Sequence, residues 1–318
     1  MPRKISSYKE KLLKLAGLAD GFLTYRRIRR KFKGASVLVY DYSGIGDVYV
    51  FCLYVKANYH AIENGNFVIT IVNDAQRAVF EIFGLSNYYP LNERGAKNLT
   101  ILLMSASRGI KGRNITPFPR FNHADLSFRF GGRFLTMAEM YKYQFFKLPR
   151  EAPIQYPVFK ADKTRVDRLF LEGKLIEGKT AVISPYAKTL ENYSGAFWET
   201  LARKLKDRGF TVCTNVAGKE TPVRGTVPVS FALADGEEVL KRAGLFIALR
   251  SGLCDVLCRA GCEKIILYPD YRMFNSSMYD FCSFEKMGIG RSITEIVEPL
   301  DNEDRLLERI LEAAGEKH

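Results

Sequence analysis

The sequence predicts an α/β protein of two successive Rossmann-like lobes facing a central cleft, preceded by a basic helical arm. Three observations carry this expectation. Short apolar runs alternate with helical patterns, the mark of mostly parallel sheets covered by helices. The alternation halts at a stretch holding Pro149, Pro153 and Pro157 and then restarts, so residues 147–160 read as a linker. Of a net charge of +13 on 318 residues, +9 falls within residues 1–34, so the charge belongs to an arm rather than to the lobes. A domain of roughly 100–200 residues makes this length suit two domains. The expected division is 1–34 for the arm, 35–160 for the N-terminal lobe and 161–318 for the C-terminal lobe.

In the arm, eleven basic residues stand against Glu10 and Asp20, interleaved with Ile5, Leu12, Leu13, Leu15, Leu18, Phe22, Leu23, Ile28 and Phe32. This pattern predicts one or two basic amphipathic helices, broken near Gly17 and Gly21. Such a helix suits an anionic membrane surface. Packing on the body with a solvated basic face explains the pattern too, and a nucleic-acid arm has similar composition.

The first lobe opens with ASVLVYDY (35–42), a buried strand, then the turn SGIGD (43–47) and a helix over 48–65. Strand 66–72, helix 74–84 and strand 98–104 follow, then loops over 105–133 and a helix over 134–146. In the second lobe, strands are expected at 179–186, 210–216, 245–249 and 264–269. Helices are expected at 196–209, 234–244, 254–261 and 301–315.

Several function classes are poorly supplied. No apolar run approaches the ~20 residues that span a bilayer, and the charged N-terminus is unlike a secretory signal. A cytoplasmic protein, peripheral on the inner face of the cell membrane, is the expectation. The histidines are His60, His123 and His318, too few for a histidine-based triad or metal centre. Cys254, Cys258 and Cys262 lie four apart, a buried helical face rather than a zinc pattern, which needs a matching second pair elsewhere. No metal and no cofactor is expected.

Three motifs carry chemistry. Gly44 and Gly46 punctuate the junction of the first strand and helix, where open α/β sheets bind ligands. Asp47 follows in the first helical turn, either as a helix-capping carboxylate or as a general base. The GIGDVY run lacks the third glycine of a dinucleotide fingerprint and any P-loop lysine. The second motif is Arg250-Ser251-Gly252-Leu253-Cys254-Asp255, a strand end running into a helix. Amides there, with Arg250, suit a phosphate; an internal Arg250–Asp255 ion pair is the structural alternative. The third is the loop after strand 179–186, with Tyr186 and Lys188, where Lys188 either binds a diphosphate or is simply solvated.

Together these resemble the ADP-heptose:lipopolysaccharide heptosyltransferases, glycosyltransferase family nine, across residues 35–315. Gly46-Asp47 matches the strand, Gly-Asp and long helix that open that family, whose Asp there is the catalytic base. AVISPYAK followed by FWETLARKL fits its strand, phosphate loop and WxxLAxxL helix. Ser251-Gly252-Leu253 matches part of its Asp-Ser/Thr-Gly-Leu-x-His. Here Arg250 stands for the first Asp and Asp255 for the His, and Glu191 stands where the family has Lys, with Lys188 three residues away. These departures point to another nucleotide-sugar or another acceptor.

The resemblance implies a GT-B-like fold and a metal-independent inverting glycosyltransferase. It would move a sugar from a nucleoside diphosphate sugar to a bacterial surface glycan or glycolipid acceptor. Asp47 would be the base, with Gly44 and Gly46 in the acceptor-side loop. Tyr186, Lys188, Arg250, Ser251, Gly252 and Asp255 would hold the donor. The arm would meet an anionic membrane surface, and no nucleic acid is expected as partner. The competing readings are a nucleotide-sugar epimerase of the same fold, and a non-catalytic nucleic-acid- or membrane-binding protein.

Overall fold

A computed structural model describes residues 3–105, 115–117, 134–270, 272–273 and 276–315. Most of the loop expected at 105–133 lies outside the described residues. The described chain divides into two compact units. One holds residues 3–44, 51–105, 115–117 and 141–157; the other holds 45–50, 134–140 and the described chain from 158 onward.

The arm is one continuous 29-residue helix, α1 (Arg3–Lys31), not a helix broken at its glycines. Those glycines let it approach a second helix closely. A Cβ on Gly21 would lie 2.5 Å from the Asn98 carbonyl oxygen, and one on Gly17 would lie 3.1 Å from the Asn98 side chain. The Asn98 amide donates to Asp20 at 2.8 Å. Tyr25 and Ile28 are buried in one core with Val37, Val39, Ala96, Leu99 and Leu103. The C-terminal half of α1 is therefore part of the first unit.

The first sheet is parallel with order β3-β2-β1-β4, from β1 (Ser36–Val39), β2 (Phe67–Ile71), β3 (Tyr88–Pro90) and β4 (Ile115–Pro117). The strand expected at 98–104 is instead part of a helix, α4 (Glu93–Ser105). Its Ala96, Leu99, Thr100 and Leu103 are buried at helical spacing, and Asn92 Oδ1 accepts from the Gly95 amide. A seven-residue apolar run cannot by itself distinguish the two states. The helix α2 (Ile45–Ala57) begins and ends before its expected limits. Val48–Val55 are buried without exception, so no side of this stretch faces water. Helix α3 (Asp74–Ile82) forms where expected. The 134–146 helix is a single α-turn, α5 (Met137–Met140), continued as a π-turn over Tyr141–Phe145.

After α6 (Lys163–Glu172), the second sheet is again wholly parallel, with order β12-β9-β8-β5-β6-β7. Its strands are β5 (Thr180–Ser184), β6 (Thr211–Asn215), β7 (Val227–Val229), β8 (Gly244–Leu249), β9 (Glu263–Pro269) and β12 (Ile293–Glu298). Numbered from β5, this is the six-strand Rossmann order. A short antiparallel ribbon, β10 (Arg272–Met273) with β11 (Ser276–Ser277), follows β9. In α7 (Gly195–Asp207), Phe197, Trp198, Leu201, Ala202 and Leu205 are buried, so the WxxLAxxL pattern is its packed face. Ser194 caps it through a 3.0 Å bond from the Phe197 amide, and Glu303, at the start of the last helix (Glu303–Gly315), accepts from the Ser194 hydroxyl. Helix α8 (Gly236–Ala243) precedes β8. The helix expected at 254–261 is only five residues long, α9 (Gly252–Val256). Lys264 draws the chain beyond it into a turn, donating to the carbonyls of Ala260 and Cys262. Cys258 and Cys262 consequently leave the helical face expected for them.

Because α1 contributes to the core, Ile28→Ala is expected to cost about 2–5 kcal/mol in urea unfolding, the usual price of a large-to-small core change. Leu15→Ala, on the exposed side of the same helix, should fall within about 0.5 kcal/mol of the parent protein. Equal, negligible effects would mean that α1 is not part of the folded unit.

Candidate functional site

Both sheets reverse their strand order beside their first strand: β1 lies between β2 and β4, and β5 lies between β6 and β8. Ligands of open α/β sheets bind beyond the carboxyl ends of strands at such reversals. The three motifs singled out in the sequence leave the sheets there. The turn 43–47 follows β1, the loop with Tyr186 and Lys188 follows β5, and the Arg250–Gly252 turn follows β8.

The loop after β1 is fixed from α3. Gln76 donates to the carbonyls of Tyr42 and Gly44, and Asn73 donates to that of Ser43. Gln76 is itself held by Asn73, which accepts from its amide at 2.9 Å, and its side-chain oxygen accepts from the Val72 amide. Sequence reasoning passed over both residues. Their signal is the Asn-x-x-Gln capping pattern at the start of α3. Gly44 is the extended residue before α2, and Gly46 and Asp47 lie within the first turn.

Residues 45–50 cluster with the second unit, and Gly46 shows why. A Cβ on Gly46 would collide with the Asp255 carboxylate and come within 2.9 Å of the Gly252 Cα. A Cβ on Gly252 would lie 2.6 Å from the Gly46 amide nitrogen. Two glycines thus let the first turns of α2 and α9 meet backbone to backbone. Asp47, partly exposed, follows directly from this contact.

Arg250 and Asp255 form the internal pair that sequence left as an alternative. Arg250 Nη2 and Nη1 donate to Asp255 Oδ1 and Oδ2 at 2.6 and 2.8 Å, with both side chains 3% exposed. The guanidinium also donates to the carbonyls of Ser251 and Cys282 and lies 4.6 Å from the Phe284 ring centroid. Burial opposes the Arg250 charge, but Asp255 outweighs it and holds the guanidinium well above the ordinary arginine range. Burial pushes the Asp255 carboxyl up; Arg250 draws it down, Asp47 adds to the rise, and burial prevails. Neither charge is presented to solvent. The pair binds the strand end to the helix start and fixes the 250–255 turn.

The other donor-side residues stand apart from that core. Lys188 is exposed and forms no ion pair with a described residue. Tyr186 is half-buried, its hydroxyl donating to the Thr221 carbonyl. Ser251 is the N-cap residue of α9, with its hydroxyl 3.5 Å from the Cys254 sulfur. The strands β5 and β8 are parallel neighbours, with Ser184 beside Ala248, so the Lys188 loop and the Ser251 turn share one edge. Along that edge, past β9 and β12, Glu191, Asp270 and Asp301 line a cavity of about 260 Å³ with Pro269, Pro299 and Leu300. Sequence reasoning made Asp301 a helix start and did not single out Asp270.

The cysteines are free and buried, and burial pushes the Cys258 and Cys262 thiols to about 12 and about 11. They are packing groups. No cluster of three His, Cys, Asp or Glu among the described residues has the arrangement to hold a metal ion.

No sequence-family model and no curated protein sequence matches the chain. Solved structures do. A glycosyltransferase of family 9 from Veillonella parvula superposes with a TM-score of 0.55 at 11% identity, over 88% of this chain and 95% of its own. The E. coli ADP-heptose lipopolysaccharide heptosyltransferase II gives 0.54 at 14% identity, over 87% and 98%. The E. coli heptosyltransferase WaaC, solved with ADP, gives 0.51 at 14% identity, over 87% and 99%. These likenesses show that the chain has the expected GT-B-like fold.

The glycine contact is open to a direct check. Gly46→Ala is expected to cost about 1–3 kcal/mol, the scale of overpacking, since its new methyl meets a backbone and a buried carboxylate. Gly195→Ala, where a Cβ would meet nothing within 4 Å, should be neutral or stabilise by up to about 1 kcal/mol. Calorimetric melting of the two variants separates them; a harmless Gly46→Ala would contradict the packed contact.

Proposed function

We propose that the protein is a glycosyltransferase that moves a sugar from a nucleoside diphosphate sugar to a bacterial surface glycan or glycolipid. The observation that carries this reading is the position of Asp47. In a fold shared with glycosyltransferases, a partly exposed carboxylate stands in the first turn of α2, next in sequence to Gly46, which packs against the turn that follows β8. A glycolipid acceptor would place the enzyme peripherally on the inner face of the cell membrane.

The proposed reaction is a single inverting displacement without a metal. The acceptor oxygen forms a bond to the anomeric carbon while the bond from that carbon to the diphosphate oxygen breaks. The acceptor proton passes to Asp47. An unperturbed Asp titrates near ~3.9 and is a weak base at neutral pH. The oxocarbenium-like transition state compensates by making the attacking hydroxyl more acidic. The departing diphosphate gains negative charge, which Lys188 and the backbone amides near Ser251 and Gly252 stabilise. Arg250 and Asp255 act at one remove, by holding those amides in place. The carboxylates Glu191, Asp270 and Asp301 repel phosphate but accept from hydroxyls, so their cavity suits the ribose or sugar of the donor.

WaaC was solved with ADP, so ADP and ADP-sugars head the panel for binding and transfer assays. With a turned-over donor in hand, Asp47→Asn should lower kcat by roughly 10²–10⁴-fold, the scale of general-base loss, because Asn keeps the shape of the side chain and removes the base. Lys188→Ala should chiefly weaken diphosphate affinity, by about 1.5–3 kcal/mol for a charge-assisted contact. Full turnover by Asp47→Asn would leave Asp47 a structural carboxylate in the first turn of α2 and remove the basis of the proposal.

A further inference from the structure

Helix α1 is apolar on the side away from the protein as well as on the side it buries. Gly21, Thr24, Tyr25 and Ile28 face the core. At 100° per residue, the opposite side carries Leu12, Leu15, Phe22 and Leu23, which are 59%, 63%, 50% and 65% exposed. The exposed alanines Ala16 and Ala19 fill the stripe between them, so no charge interrupts it from residue 15 to residue 23. A helix packed on the body with a solvated basic face, one of the readings of the arm, would not carry this stripe. A water-facing helix gains nothing from four large apolar side chains aligned outward, so the stripe requires an apolar phase.

The same side turns cationic toward the C-terminus. Arg26 and Arg30 continue the line of the stripe, and Arg27 and Arg29 flank it. On the adjoining flank, where α1 meets β4, a groove of about 680 Å³ is lined by Arg26, Arg29, Arg30 and Lys33 together with Phe22, Tyr25 and Ile115. Four cations around a concave surface with aromatic walls suit phosphate groups attached to an apolar body. From Leu12 to Arg30 the surface runs roughly 27 Å along one straight helix.

We infer that this outward side of α1 is a membrane-docking surface for an anionic phospholipid bilayer. The helix lies in the interface plane, with Leu12, Leu15, Phe22 and Leu23 in the acyl boundary and the arginine groove on lipid headgroup phosphates. Charge selects this occupant over a second copy of the chain. Pairing two α1 helices would bring together two segments that each set eleven basic residues against only Glu10 and Asp20, and Asp20 already accepts from Asn98. The stripe selects it over nucleic acid, whose phosphates answer the arginines but leave the leucines in water. No described helix is long and apolar enough to cross a membrane, so α1 lies on the bilayer. The inference deepens the peripheral placement proposed above, but its test measures binding without turnover, so the two can fail separately.

The test is co-sedimentation of the full-length protein with vesicles of equal parts phosphatidylglycerol and phosphatidylcholine, and with pure phosphatidylcholine vesicles. The parent protein should bind the anionic vesicles, less so at higher salt, and leave the neutral ones unbound. Leu15→Asp with Leu23→Asp, and separately Arg26→Glu with Arg30→Glu, should each weaken anionic binding at least ~10-fold. Both pairs replace exposed side chains, so their melting temperatures should match the parent; should the leucine pair unfold, the arginine pair decides. Parent-like binding by the folded variants, or no preference for anionic vesicles, overturns the inference. A parent dimer by light scattering that the leucine pair makes monomeric, without vesicle binding, overturns it in favour of self-association. Tight binding of a mixed-sequence RNA with no vesicle binding overturns it in favour of nucleic acid.

Discussion

The buried ion pair between Arg250 and Asp255 is the constraint on which the candidate site rests. Placing two opposite charges at 3% exposure is costly unless their geometry is good and their remaining donors are satisfied. Two short bonds to the carboxylate and two more to the Ser251 and Cys282 carbonyls occupy four of the five guanidinium donors. The pair therefore stabilises one conformation of the turn after β8. That conformation sets Gly252 against Gly46, and Gly46 sets the position of Asp47. A chain of fixed contacts thus runs from a buried arginine to the proposed base, and no member needs its own charge exposed except the last.

Packing reinforces the same point from the other direction. Helix α2 is buried on all sides over Val48–Val55, so its first turn cannot shift without disturbing a core. The loop before it is tied to α3 by Gln76 and Asn73. Polar bonds thus hold the loop before α2 within the first unit, and a glycine contact holds Gly46 within the second. Rigid support of this kind is what a catalytic carboxylate needs if it is to meet a hydroxyl at bonding distance.

Much of this was legible in the sequence, and the misses have specific causes. The strand ends proposed for the site stand out in the sequence because glycine, aspartate and lysine interrupt otherwise apolar runs. The WxxLAxxL helix was found because its spacing is helical throughout. The strand expected at 98–104 failed because NLTILLM is apolar at both periods, and only the buried set Ala96, Leu99 and Leu103 reveals the helix. The break expected in α1 failed because a glycine marks close approach as readily as it marks a turn, and Gly21 meets the Asn98 carbonyl. The part of Arg250 was open in the sequence, since a strand-end arginine followed by Asp five residues later fits a phosphate site or an internal pair. Only the burial of both side chains separates those readings.

The account stands most directly on whether Arg250 shapes the site or touches the nucleotide. Arg250→Met, Asp255→Leu and their combination, each measured for urea unfolding and for ADP affinity by calorimetry, decide it. Each single change should cost about 3–5 kcal/mol of stability by leaving a buried charge unpaired, and the double change should recover most of that loss. The folded double variant should still bind ADP, through Lys188 and the backbone near Ser251. An Arg250→Met variant as stable as the parent that has lost ADP binding would contradict the account and make Arg250 a direct phosphate ligand.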